Sequence, residues 1–158
     1  MRRSDRMFTN LSEIEDILVR ADACRVALVD GGMPYLVALN YGYRKATPES
    51  PAALYFHCAP EGRKLDIIRQ NNQACFQMDV DHELIRAGTG CGWGMKFRSV
   101  GGFGRIVLLE DEEERKAGLD AIMQHYGAEG PFAYEDRILA LTTVLRLDIE
   151  EISAKKKE

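Results

Sequence analysis

Two β-rich runs, Arg25 to Asp30 and Tyr35 to Tyr43, are separated by little more than Gly31-Gly32. Paired glycines take the positive φ angles of a tight hairpin, and so short a link cannot hold the crossover that parallel neighbours require. The pattern then repeats. Lys45 to Pro51 is a loop with two prolines, and Ala52 to Cys58 follows as a third strand. Gln73 to Val80 sets Ala74, Phe76, Met78 and Val80 against Cys75, Gln77, Asp79 and Asp81, the alternation of a half-buried antiparallel strand. Met95 to Leu109 reads as a long strand interrupted at Gly101-Gly102. Thr142 to Ile149 reads as the last, with Leu145, Leu147 and Ile149 on one face. Strands that follow strands exclude a doubly wound parallel sheet. They predict a mainly β (α+β) chain, an antiparallel barrel with peripheral helices.

The helical segments are few. Residues 12–22 show capping-box spacing at Ser12 and Glu15, with Ile14, Ile17, Leu18 and Ala21 on one face. From Glu61 the period is helical as far as Asn71-Asn72. A third helix starts at Asp111 with an acidic first turn, carries Leu119, Ile122, Met123 and Tyr126 as one stripe, and ends at Gly127. Glu135 to Leu141 reads as a shorter one.

At 158 residues, 46% hydrophobic, the chain suits a single domain with its own core, and loose charged ends are expected at 1–6 and 154–158. The net charge of -4 comes from intermixed residues with no basic stripe, which argues against a nucleic-acid partner. No apolar run is long enough to cross a bilayer, and the Met-Arg-Arg start lacks an apolar signal stretch, so no membrane and a cytoplasmic location are expected. Cys24, Cys58, Cys75 and Cys91 form no C-x-x-C pair and read as unpaired thiols. A zinc site from His57, Cys58 and Cys91 lacks local ligand spacing, and no metal is expected.

The strongest chemical signal is the junction Tyr55-Phe-His-Cys-Ala-Pro-Glu-Gly-Arg-Lys64, where a strand stops at Pro60 and a helix begins with Gly62, Arg63 and Lys64. A helix start exposes unpaired N–H groups and partial positive charge, a ready anion site. Arg63 offers a planar fork and Lys64 a point charge, both of which oppose the dipole of an unliganded helix. The alternative is a solvated pair bound to Glu61 or Asp66. His57, at the strand end, is either a pocket acid–base group or a hydrogen-bonded rim residue.

Along Tyr35 to Tyr43 the odd positions are large, while Leu36, Ala38, Asn40 and Gly42 shrink into a trough. A glycine there marks a bulge or the close approach of a ligand. The glycine loop 88–94 carries Trp93, which either covers an aromatic ligand or sits in an irregular connection. Ser99 is a further phosphate-donor candidate. Gly101-Gly-Phe-Gly104 is no dinucleotide fingerprint, because the strand–turn–helix context is missing.

Four segments taken in order carry a resemblance. They are Pro34-Tyr-Leu-Val-Ala-Leu-Asn-Tyr-Gly-Tyr43, Leu54-Tyr-Phe-His-Cys-Ala-Pro-Glu-Gly-Arg-Lys-Leu65, Asn72-Gln-Ala-Cys-Phe76 and Lys96-Phe-Arg-Ser-Val-Gly-Gly-Phe-Gly104. From about Ile14 to Ile152 the chain resembles the pyridoxamine 5'-phosphate oxidase-like FMN-binding split barrels, in particular the nitroimidazole-resistance (Nim) branch. The resemblance implies a homodimer with FMN at the interface, its phosphate on Arg63 and Lys64 with Ser99 nearby. The ring would lie along Ala38, Asn40 and Tyr41 near His57, and Trp93 would come from the partner. It also implies an oxidoreductase taking electrons from NAD(P)H to a nitroaromatic or quinone-like acceptor, with His57 as the candidate catalytic residue. Its other members suggest two alternatives, a non-enzymatic flavin or redox-sensing module and a haem binder. Vitamin B6 oxidation is not expected, since no substrate-phosphate residue set is evident.

Overall fold

The computed structural model describes residues 4–158. After a single 3-10 turn at Ser4–Arg6 come β1 (Met7–Phe8), α1 (Leu11–Arg20), β2 (Cys24–Asp30), β3 (Met33–Leu39), β4 (Gly42–Arg44) and β5 (Ala53–Cys58). They are followed by α2 (Arg63–Gln70), β6 (Gln73–Ile85), β7 (Gly94–Leu108), α3 (Glu112–His125), α4 (Asp136–Ala140) and β8 (Thr143–Lys157). One antiparallel sheet runs β3-β2-β6-β7-β8-β5-β4, with β1 added on β8. Its two end strands, β3 and β4, are joined by Asn40-Tyr41 alone, a reach of about 11 Å. The sheet must therefore curl until its ends meet, which makes the barrel predicted from the short connections.

The alternation assigns the faces. Val26 and Leu28 of β2, Phe76 and Met78 of β6, and Leu145 and Leu147 of β8 point inward and are buried. Helix α1 closes the interior with Ile14, Ile17 and Leu18, and α2 adds Leu65, Ile67 and Ile68. Helix α3 lies outside, where Ile122 packs with Ala53, Tyr55, Leu109 and Val144 in a second cluster. Burying such side chains contributes roughly 1.5–3 kcal/mol each.

Several boundaries differ from the sequence expectation, each for a physical reason. The cap of α1 is Asn10, whose Oδ1 accepts from the Glu13 amide at 3.2 Å, so Ser12 lies inside the helix. The single strand expected over 35–43 breaks at Asn40-Tyr41, because β3 stays with β2 while β4 turns to β5. Gly42 is no bulge, and its open side is taken by α3. A β-carbon there would stand 2.5 Å from the Ile122 amide nitrogen and 2.6 Å from the Ala121 carbonyl oxygen, so the glycine admits α3.

Strand β6 continues past Val80 through a bulge at Asp81, whose φ of 59° is left-handed. Strand β7 is unbroken at Gly101-Gly102, and the irregularity falls between Phe103 and Gly104, against β8. Strand β8 exceeds its expected end at Ile149. Residues 154–157, expected to be loose, pair with β7, and Ala154 is buried. Of the loose N-terminal end expected over 1–6, residues 1–3 lie outside the described residues, while 4–6 form the 3-10 turn.

Cys24 is buried, which pushes its thiol up to about 12, Cys58 and Cys75 are half-buried, and Cys91 is exposed. Among the described residues no helix is long and apolar enough to cross a membrane. Likewise, among them no three His, Cys, Asp or Glu side chains cluster as a metal site would need.

Candidate functional site

Strands β4 and β5 pair as far as Gly42 and Tyr55. Beyond that point β3 turns to β2, and β5 pairs only with β8. The two arms fork. Two residues back from Gly42 is Asn40, and two forward from Tyr55 is His57. Both are exposed and stand where the arms part, at the vertex of the fork. This juxtaposition is invisible in either segment alone.

One arm is β3, an edge strand of the sheet path, so its free side offers unpaired N–H and C=O groups. The other is the end of β5 with residues 59–62, leading into α2. Arg63 joins the arms at the far end. Its Nε and Nη2 each lie 2.8 Å from Asp30 Oδ2, and its guanidinium stands 5.4 Å from the centre of the Tyr35 ring. Arg63 is thus paired with Asp30 rather than Glu61 or Asp66. From Tyr35 to Asn40 the β3 arm extends about 17 Å.

The start of α2 is open to a ligand. Gly62 is its N-cap with φ 142°, no side chain caps it, and nothing lies within 4 Å of where a β-carbon would sit. Leu65 N–H already donates to the Gly62 carbonyl at 2.9 Å, which leaves the N–H groups of Gly62, Arg63 and Lys64 without intrahelical partners and open to approach. Lys64 is half-buried with no ion-pair partner among the described residues. Its charge reaches Cys58, where burial raises the thiol pKa and Lys64 opposes the rise.

Next to His57 a cavity of about 360 Å³ opens between α3 and α4. Leu119, Ile122, Met123, Ile138 and Leu139 form its apolar walls, with Tyr134, Glu135 and Thr142 among them. The short α4 is tied down by Arg115, whose Nη2 donates to the Leu139 carbonyl and, at 2.8 Å, to that of Thr142. The Tyr134 hydroxyl donates to Asp120 at 2.7 Å, and burial, then this carboxylate, raises its pKa. The expected stripe on α3 is thus only partly core: Met123 and Tyr126 stay 43% and 44% exposed.

The other expected site residues are distributed unevenly. Ala38 on the outer face of β3 and Asn40 just past its end are both exposed. The Tyr41 side chain does not join them. It is fully buried, its hydroxyl donating to the Leu18 carbonyl at 2.7 Å and its ring 4.2 Å from that of His125. Ser99 is on the outer face of β7, three strand spacings or about 14 Å from the Ala38 row, and donates to the Lys155 carbonyl at 3.3 Å. Trp93 turns its indole N–H back onto the Ala87 carbonyl at 2.8 Å. Neither reaches the fork of its own chain.

Asp30 and Tyr35, which hold Arg63, carried no local signal. The groove residues left only a trace, as the exposed half of the α3 stripe and the short helix at 135–141.

Residues 10–156 match the sequence profile of the pyridoxamine 5'-phosphate oxidase family, and the chain belongs to it. Its fold is the split β-barrel of that family's structures. Among solved structures it is similar to a candidate 5-nitroimidazole antibiotic resistance protein from Bacteroides thetaiotaomicron, at 30% identity, with TM-score 0.81 over 96% of this chain and 90% of that one. It is also similar to an FAD-binding protein from Mesorhizobium loti, at 25% identity, TM-score 0.68, covering 97% of this chain and 98% of the other. An FAD- and haem-binding protein from Mycobacterium smegmatis shares the fold at 22% identity, TM-score 0.83, with 97% and 74% covered. A comparison with curated proteins finds no match.

Proposed function

We propose that this protein is a flavin-binding oxidoreductase that holds FMN along the fork and reduces nitroaromatic or quinone-like acceptors with electrons from NAD(P)H. The observation that carries the reading is the fork itself. It has an uncapped, basic helix start at its far end, an edge strand along one side, and Asn40 and His57 where the arms part.

The residues present suit FMN. Gly62, Arg63 and Lys64 would take the single phosphate, through backbone N–H groups, a guanidinium fork and an ammonium. The free edge of β3 would meet the polar rim of the ring, with Ala38 giving room and Asn40 a side-chain amide. Tyr41 contributes backbone position only. When bound, the flavin supplies two-electron transfer between the nicotinamide donor and the acceptor. His57 then stands where its ring nitrogens can hold a proton for the acceptor. Fold likeness alone does not carry a reaction, so the assignment rests on these residues.

Ser99 and Trp93 would act on the fork of a second copy. The outer faces of β3, β2, β6 and β7 line up Leu36, Ala27, Cys75 and Phe103 as one row, with Leu36 66% and Phe103 58% exposed. An apolar row of this kind is what a homodimer would cover.

A haem reading is the second possibility, raised by the FAD- and haem-binding protein that shares this fold. It would fall on His57, because His82 is paired with Asp79 at 2.7 Å and His125 is hydrogen-bonded to the Ala21 carbonyl at 2.9 Å. The test is the absorption spectrum of the purified protein, alone and after addition of FMN. A flavin doublet supports the proposal and a Soret band replaces it. In Arg63→Ala/Lys64→Ala, loss of two charge-assisted bonds of roughly 1.5–3 kcal/mol each should abolish FMN retention with the fold intact. Unchanged affinity would remove the phosphate assignment, and no turnover of any nitroaromatic or quinone acceptor with either nicotinamide would remove the activity.

A further inference from the structure

The groove between α3 and α4 includes none of Gly62, Arg63 and Lys64, yet it shares His57 with the vertex of the fork. We propose that it is the acceptor pocket and that it selects flat, uncharged or cationic aromatic molecules over carboxylated ones, with Glu135 as the selecting residue. The inference rests on the reading of the His57 end of the fork as the ring end of the flavin.

The size and walls set the first half of the claim. About 360 Å³ lies at the small end of ligand pockets, which span about 300–1,000 Å³, and suits one or two rings. Leu119, Met123 and Ile138 present methyl, thioether and branched surface to a ring face, and Met adapts to planar ligands of different outline. Ile138 is 56% exposed and Met123 43%, so the apolar surface is reachable.

The charges set the second half. Glu135 is on the lining, exposed, and has no ion-pair partner among the described residues. Behind the wall stands Asp120, bound by the Tyr134 hydroxyl. The nearby cation on α3 is Arg115, whose guanidinium is directed at the Leu139 and Thr142 carbonyls beneath α4. The lining has no lysine or arginine, and its one carboxylate is the unpaired Glu135, so the surface a ligand meets is negative. An incoming carboxylate would meet that charge at close range on the protein surface, where like charges a few ångströms apart still repel by about 1 kcal/mol or more.

The experiment uses the full chain labelled with 13C-methyl methionine. Met123 reports on the groove, assigned by Met123→Leu, while Met78 in the barrel core is the silent control. 4-Nitrobenzyl alcohol and 4-nitrobenzoate are titrated separately, and flavin uptake is read by absorbance on the same samples. The expected result is a shift of Met123 but not Met78, with the alcohol bound about tenfold more tightly than the benzoate. Glu135→Lys reverses that order, and Ile138→Trp, which fills the groove from a surface position, abolishes the shift. A Met123 signal unmoved by either probe, equal affinities, or a preference that survives Glu135→Lys would overturn the inference. Flavin uptake separates the two readings. A groove that responds as expected in a protein that takes up no flavin leaves the selectivity standing and removes the flavoprotein proposal.

Discussion

Arg63 and Asp30 close the fork: the Nε and Nη2 of the first both lie 2.8 Å from one carboxylate oxygen of the second. The pair is exposed on the arginine side, 66%, and such pairs contribute little by themselves, about 0–1 kcal/mol. Arg63 can therefore leave Asp30 for a phosphate at small cost, but the carboxylate stays behind as a neighbouring negative charge. Asp30→Ala is expected to tighten FMN binding several-fold, measured by fluorescence quenching of added FMN. Weaker binding would show that Asp30 orients Arg63 instead of competing for it.

Gly42 fixes how close α3 can come to the sheet. A β-carbon at that position would overlap the Ala121 and Ile122 backbone, which no rotamer change relieves. Gly42→Ala should cost about 1–3 kcal/mol, the range of overpacked cores, visible as a lower urea midpoint. An unchanged midpoint would mean that α3 shifts outward freely.

Arg115 is the tether of α4. A helix of five residues has no stability of its own, so its place depends on the bonds to Leu139 and Thr142. Arg115→Met keeps the stem and removes the donors. Amide exchange over 136–142 should speed up by one to two orders of magnitude, at roughly 1.5–3 kcal/mol for charged bonds, while β6 and β7 stay protected. Slow exchange in the variant would assign the placement of α4 to Leu139 packing alone.

Asp81 sits at the β6 bulge between two guanidinium groups, with Arg20 Nη2 and Arg98 Nε each 2.6 Å from its oxygens. These bonds, Arg20 first and then Arg98, hold its carboxyl at about 2, and Asp16 is lowered in the same way by Arg98 and then Arg20. The folded values lie below the unfolded value of about 3.9, so the stabilisation is complete above that pH and fades as pH falls from about 4 toward about 2. Screening at these accessible positions limits it to about 1 kcal/mol or less. Asp81→Asn tolerates the left-handed backbone and should be slightly less stable than wild type at pH 7, the gap closing by about pH 2. A gap independent of pH in urea titrations would detach it from ionisation.

The sheet was legible wherever one face repeats. The β6 alternation of Ala74, Phe76, Met78 and Val80 marks the buried side correctly, and the Gly31-Gly32 turn is a hairpin with φ 55° and 91°. Local patterns failed where a distant segment decides. Gly42 answers to Ala121, and the break at Asn40-Tyr41 answers to a choice between β2 and β5. Residues 154–157 are strand because β7 and β1 lie on either side of them. The candidate site divides in the same way. Gly62, Arg63 and Lys64 could be read as an anion site from neighbours in sequence. The facing of Asn40 by His57, the Asp30 clasp and the α3–α4 groove needed the fold.

Strand β8 has a further consequence, for synthesis on the ribosome. It stands between β7 and β5, so one side of the sheet (β3-β2-β6-β7) and the other (β5-β4) have no hydrogen-bonded contact until residues 143–157 exist. The nascent chain must carry two unmatched edges, on β5 and β7, until β8 is translated, an aggregation-prone interval. The strand that joins the two sides follows both of them in the chain, so the barrel cannot close before β8 is made, and a chain broken off at residue 142 would expose the edges that β8 otherwise seals.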